Sequence, residues 1–142
     1  MINHAILSRS GPWVALDTLT IPIEPKPVPK PKKPKARGKA RYSPEFYQWR
    51  EEVADHLGQG EPKYLGPLAV AVEMVSERPS RSTRDRPRFD NDNGYKAITD
   101  CITRSKTIWK DDDQIVACLI WRRWADDDEQ AHIRLDVYGR PS

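Results

Sequence analysis

Prolines set the outline of this chain more firmly than any apolar run: there are thirteen in 142 residues, most of them at or before Pro67. Each one fixes φ and removes a backbone donor, so a segment dense in proline cannot complete a helix interior or a central strand. From Glu24 to Arg41 five prolines alternate with lysines and no acid follows Glu24. That stretch predicts an extended basic arm that builds no core and leaves the folded part mainly downstream. The length suits one compact domain around one core. The expected division is an N-terminal tail over 1–18, frayed over its first dozen residues, and a folded domain over 19–142 carrying the Lys/Pro arm at 25–41.

Periodicity supplies the elements. Leu19 to Ile23 alternates apolar residues with Thr20 and Pro22, a half-exposed strand whose proline marks an edge or an end. Ser43-Pro44-Glu45 carries an N-cap, a first-turn proline and an acid facing the helix dipole. Phe46, Trp49, Val53, Ala54 and Leu57 then share one helical face, and Gly58 stops it. Leu68, Val70, Val72 and Met74 alternate with Ala69, Ala71 and Glu73, a strand packed on one face. A polar loop from Ser76 to Arg88 follows. Asn91 or Asp92 caps a second helix whose apolar face is Tyr95, Ile98, Cys101 and Ile102, ending near Ser105. Ile115 to Trp121 is apolar at nearly every position and predicts a central strand covered on both faces. It pairs as a hairpin with the alternating strand Ile133, Leu135, Val137, through an acidic turn at Asp126 to Glu129. The order β-α-β-α-β-β predicts a single two-layer α/β domain with a mixed sheet and helices packed on it.

The two cysteines, Cys101 and Cys118, sit in apolar segments without C-x-x-C spacing, as expected of reduced, buried thiols. No apolar run approaches the ~20 residues of a membrane span and no signal pattern opens the chain, so no membrane contact and a cytoplasmic location are expected. His4, His56 and His132 lack metal-ligand spacing, and no P-loop, GxGxxG turn or Ser-His-Asp set occurs.

Two acidic groups remain as candidate chemistry. Asp90 and Asp92 stand at a loop-to-helix junction, with Lys96 one turn beyond Asp92 on the same side. Asp111, Asp112 and Asp113 precede the strand that begins at Ile115. Converging carboxylates are what a magnesium ion needs to act on a phosphodiester, since it takes hard oxygen ligands and keeps positions open for phosphate and water. Plainer roles exist for each: Asp92 as a helix cap, the Asp111 run as a turn, Lys96 as the ion-pair partner of Asp92 or Asp100. An EF-hand reading fails, because the loop glycine and distal glutamate are absent from their positions. In the arm, Lys26, Lys30, Lys32, Lys33, Lys35, Arg37, Lys39 and Arg41 can neutralise DNA phosphates, or merely solubilise the chain.

The order of these motifs resembles the RusA family of Holliday-junction resolvases. The pattern D-x-D-N-x-x-K-A-x-x-D is carried here by Asp90, Asp92, Asn93, Lys96, Ala97 and Asp100. A short connection to Trp109 leads to D-D-x-Q-I/V, carried by Asp111, Asp112, Gln114 and Ile115. Pro27-Val28-Pro29-Lys30 and Arg41-Tyr42-Ser43-Pro44 also look like the family's N-terminal region, so the resemblance spans roughly Leu19 to Tyr138. It implies a magnesium-dependent endonuclease of bacterial or phage origin, acting in recombination and repair. Its unit is a homodimer that nicks opposed strands of a four-way junction. It assigns metal binding and catalysis to Asp90, Asp92 and Asp112 and an assisting role to Lys96, with Asp111 the less certain neighbour. Asn91 and Gly94 depart from the pattern, where relatives commonly carry apolar residues, and Gly94 is expected to loosen the first helical turn by roughly 1 kcal/mol relative to alanine. Two rivals remain: a general flap or branched-DNA nuclease with the same metal site, and a non-catalytic nucleic-acid-binding protein whose arm does the binding.

Overall fold

The computed structural model describes residues 13–29 and 42–140. Strand β1 (Val14–Ile21) is followed by helix α1 (Pro44–Leu57), strand β2 (Leu68–Ser76) and helix α2 (Asn91–Ser105). A short 3-10 turn (Asp112–Gln114) then leads into strands β3 (Ile115–Trp124) and β4 (His132–Gly139). Both helices follow their caps. Ser43 Oγ accepts from the Phe46 amide, Pro44 fills the first turn, and Gly58 takes φ 72° while its N–H donates to the Ala54 carbonyl. This is the left-handed exit that glycine allows without a Cβ penalty.

The four strands form one mixed sheet in the order β1-β4-β2-β3. β3 runs parallel to β2, as a strand–helix–strand crossover requires, and β4 lies antiparallel to both β1 and β2. One continuous core joins Phe46, Trp49 and Val53 of α1 and Ala97, Ile98, Cys101 and Ile102 of α2 to the sheet. The sheet's share is Leu68, Val70, Val72, Met74, Ile133, Leu135 and Val137, so both helices cover the same face.

Four expectations are corrected. β1 begins at Val14 rather than Leu19; it is an edge strand and ends at Ile21, just before Pro22. β3 and β4 do not form a hairpin, because β4 inserts between β1 and β2. The doubly covered strand is β2 rather than β3: Ala69, Ala71 and Val75 are buried opposite Leu68, Val70 and Val72, whereas Val116 of the edge strand β3 is 59% exposed. Small alanines are sheltered between the larger flanking residues of β3 and β4, such as Leu119 and Tyr138, and a run of apolar residues does not by itself distinguish an edge from a centre. Cys101 is buried, but Cys118, on that edge, is exposed.

The arm also begins differently from its composition. Pro25 is buried and Val28 packs at the border of the core, so residues 24–29 belong to the domain. The cations from Lys30 to Arg41 lie outside the described residues.

Candidate active site

The first acidic group stands where α2 begins. Asp90 occupies the N-cap position with extended backbone, yet its carboxylate makes no capping hydrogen bond. The entry to the helix is held by Asn91 instead. Arg122 Nη1 donates to Asn91 Oδ1 at 2.6 Å, and Asn91 Nδ2 donates to the Ile120 carbonyl at 3.4 Å. Arg122 Nε donates to the Pro87 carbonyl at 3.2 Å, so one side chain of β3 ties both the incoming loop and the first helical residue to the sheet. An apolar residue at position 91 could not make these bonds, which accounts for that departure from the family pattern.

Gly94 is accounted for by packing. A Cβ there would lie 2.5 Å from Met74 Sδ and 2.7 Å from a Phe89 ring carbon, so only glycine lets α2 approach β2 this closely. The expected loosening of the turn is therefore incomplete: glycine's conformational cost is exchanged for close packing. Asp92, Lys96 and Asp100 follow at intervals of four along one face of α2. Among the described residues, the side chains of Asp90, Asp92, Lys96 and Asp100 make no hydrogen bond or ion pair. The plainer roles of cap for Asp92 and ion-pair partner for Lys96 are thus not taken up.

The second acidic group divides its labour. Trp109 is fully buried, and its Nε1 donates to Thr103 Oγ1 at 2.8 Å, folding the connection back onto α2. Gln114 Oε1 accepts from the Lys110 and Asp111 amides, and its Nε2 donates to the carbonyls of Tyr64 and Gly66. The Asp111 carboxylate accepts from the Asp113 amide at 3.1 Å, which with Gln114 completes a capping box. Asp111 and Gln114 therefore build the turn.

Asp112 is left over, and its electrostatics differ from those of its neighbour. The Asp113 amide and the Asp112 carboxyl hold Asp111 below the ordinary carboxylate value. The Asp111 carboxyl, partial burial and the charges of Asp111, Asp100 and Asp113 push Asp112 above it. Two carboxyls side by side disfavour full ionisation of both, a condition that a cation relieves.

Tyr95, beside Lys96 on α2, lies within electrostatic reach of Asp112. Burial first, then Cys118 and then Asp112 raise its phenol well above the ordinary value, so the hydroxyl stays protonated. Periodicity assigned Tyr95 to the apolar face, where its ring does pack at the core border; nothing in the spacing signalled its reach toward Asp112. The same holds for Asn91, Arg122 and the Gln114 Nε2 contacts to Tyr64 and Gly66, whose partners are distant in sequence, whereas the capping box of Asp111 and Gln114 is local.

α2 packs against both the 3-10 turn and β3, bringing the two acidic groups to one helix. Asp112 feels Asp100, which at 1.5 Å per residue lies ~12 Å along the axis from Asp92. Among the described residues no three His, Cys, Asp or Glu side chains converge closely enough to enclose a metal ion. The arm starts beside the first group, since the Val28 amide donates to the Asn93 carbonyl at 3.2 Å. No helix among the described residues is long and apolar enough to cross a membrane.

A search of curated proteins returns no match. The family model of endodeoxyribonuclease RusA matches residues 22–136, which takes in both helices, both acidic groups and most of β4. With its motifs in order and more than half its length matched, the chain belongs to the RusA endodeoxyribonuclease family.

Proposed function

We propose that this protein is a magnesium-dependent resolvase that cuts opposed strands of a four-way DNA junction, with Asp90, Asp92 and Asp112 as metal ligands and Lys96 as an assisting cation. Its family is one of endodeoxyribonucleases acting on Holliday junctions. The observation that carries the assignment to these residues is that Asp90, Asp92 and Lys96 have no hydrogen-bond or ion-pair partner among the described residues, while in the turn packed on the same helix Asp111 is fully employed.

The donor set suits a hard divalent cation, being carboxylate oxygens, of which those of Asp90 and Asp92 accept no hydrogen bond from any described residue. When bound, magnesium would supply a water-derived nucleophile at neutral pH and charge neutralisation on the scissile phosphate. The chain's own residues do the rest. Asp90, Asp92 and Asp112 offer their oxygens from the start of α2 and from the 3-10 turn; holding one cation would require the two groups to approach, and it would relieve the repulsion between Asp111 and Asp112. Lys96, one turn past Asp92, presents a fixed positive charge to a phosphate oxygen. Val28, at the described start of the basic arm, lies next to Asn93, and the arm's cations would neutralise phosphates of the same DNA.

Two cuts in opposed strands call for two such sites related by two-fold symmetry, and hence a homodimer. Sedimentation at micromolar concentration should give twice the mass of the chain, and a monomer that cuts both strands would contradict the dimer. The activity is tested by incubating the protein with a fixed four-way junction, a flap and plain duplex, in magnesium and then in calcium. Paired nicks in the junction alone, with magnesium alone, are expected. Equal cutting of all three substrates would replace the resolvase reading with a general nuclease, and binding without cutting in either metal would replace it with a DNA-binding protein.

A further inference from the structure

The polar loop between β2 and α2 was assigned nothing by its composition, yet it holds a dense array of cations. Arg78, Arg81, Arg84, Arg86 and Arg88 are all exposed, and over residues 77–88 they outnumber the acids Glu77 and Asp85 by three. The loop is not free to wander. Trp124 Nε1 donates to the Arg84 carbonyl at 2.9 Å, Arg122 Nε to the Pro87 carbonyl at 3.2 Å, and Arg78 Nη2 to the Arg84 carbonyl at 2.6 Å. The Ser82 amide donates to the Pro79 carbonyl, and Pro87 is buried. Backbone carbonyls are thus consumed in anchoring the loop to the end of β3, while the guanidinium groups remain outside. Arg86 is paired with Asp85, whereas Arg81, Arg84 and Arg88 have no ion-pair partner among the described residues.

These three arginines line a groove of about 550 Å³ together with the hydroxyl residues Ser82 and Thr83 and the rings of Phe89 and Trp124. Unpaired guanidiniums, hydroxyls and aromatic rings gathered in one groove are what a phosphodiester strand with its sugars and bases requires, and the three arginines outnumber the two acids that also line it, Glu24 and Glu77. The groove borders the first acidic group, because Phe89, which lines it, directly precedes Asp90 and packs against Gly94 in the first turn of α2.

We propose that this groove is a second DNA-binding surface, separate from the Lys/Pro arm, in which Arg81, Arg84 and Arg88 clamp phosphates of the scissile strand adjacent to the phosphate cut at Asp90 and Asp92. This rests on the proposed nuclease reading and adds the residues that seat the scissile strand. Three guanidiniums on consecutive phosphates would also fix the register of the strand, so the loop sets which phosphate reaches the carboxylates as well as how tightly DNA is held.

The test uses the full chain and the Arg81→Gln/Arg84→Gln/Arg88→Gln variant, with a fixed four-way junction as probe. Binding is measured in calcium across a salt series and cleavage in magnesium, with circular dichroism and a thermal melt as controls for folding. The substituted side chains are exposed and the anchoring donors Trp124, Arg122 and Arg78 are kept, so an unchanged melt is expected. The slope of log affinity against log salt should shrink by roughly two to three, at about 0.9 for each phosphate that is no longer neutralised. Cleavage should weaken at subsaturating DNA and spread over more than one phosphate. Wild-type protein that binds and cuts the junction, with a variant identical in slope and cut position, would overturn the clamp while leaving the nuclease reading intact. Wild-type protein that neither binds nor cuts would overturn both.

Discussion

Two sets of acidic side chains on this small sheet are treated in opposite ways. On the sheet face away from the helices, Glu73 accepts from Trp121 Nε1 and sits 3.4 Å from Arg123 Nε, while both Glu129 oxygens accept from the same guanidinium, at 2.5 and 2.7 Å. Every charge there is answered by its neighbour, and Arg123 ties the turn after β3 to the middle of the sheet. At the start of α2, Asp90 and Asp92 answer to no described side chain, and Asp112 is pressed against another acid. A fold optimised only for its own stability would pair these groups as it pairs Glu73 and Glu129. Acids left in mutual repulsion are held ready for a cation from outside.

The largest effect that could break this contrast is catalytic. Asp90→Asn, Asp92→Asn and Asp112→Asn each keep side-chain size and remove one charge, so junction cleavage should fall by orders of magnitude while thermal stability holds or rises. Junction affinity in EDTA should also hold or rise, since one repulsive charge is gone. Asp126→Asn, in the turn after β3, is the control: its carboxylate is exposed and unused, so cleavage should stay near normal. Equal cleavage by all four variants would make the α2 acids structural.

Arg123→Gln should do the reverse. It strands Glu73 and Glu129, so the melting temperature drops, while the rate of junction cleavage stays within a few-fold of wild type. A large loss of cleavage at unchanged stability would mean that the paired region also serves the reaction.

Gly94→Ala sharpens the comparison further, because two physical rules predict opposite signs. Helix propensity alone favours alanine by about 1 kcal/mol. The Cβ would, however, overlap the buried Met74 thioether and the Phe89 ring, and overpacking of that kind costs about 1–3 kcal/mol. Chemical denaturation should therefore show net destabilisation, with cleavage reduced as α2 is pushed away from β2. A stabilised variant would show that Met74 and Phe89 yield freely.

Where a feature depends only on near neighbours, it can be read along the chain. The Ser43-Pro44 cap, the Gly58 stop and the 3.6-residue face of α1 are of this kind and are legible without a structure. So are the two acidic motifs, whose members lie within a few residues of each other. Sheet order is not: whether Leu68–Ser76 or Ile115–Trp124 is central depends on where β4 inserts, and burial of Ala69 and Ala71 comes from flanking strands that the alternation of β2 cannot reveal. The roles of Asn91 and Gly94 and the long-range contacts of Gln114 are hidden for the same reason, since each answers to residues about twenty to fifty positions away, as Gly94 does to Met74.

The smallest effect concerns acid. Arg123 and the Asp126 amide hold the Glu129 carboxyl at about 2, below its ordinary value of 4.5. A group whose folded value is depressed stabilises the fold above its unfolded value and loses that contribution as pH falls through the folded one. Wild type should therefore out-melt Glu129→Gln by a constant margin at neutral pH. The margin should begin to close below about 4.5, be largely lost by about 2 and vanish below that, where Glu129 is protonated in both states. Because the pair is partly exposed, added salt should narrow the margin at every pH where it exists. A margin that ignored both pH and salt would mean that Glu129 acts through neutral hydrogen bonds to Arg123 and Asp126. The paired region would then owe its order to geometry rather than to charge, and the contrast with the unanswered acids of α2 would lose half its basis.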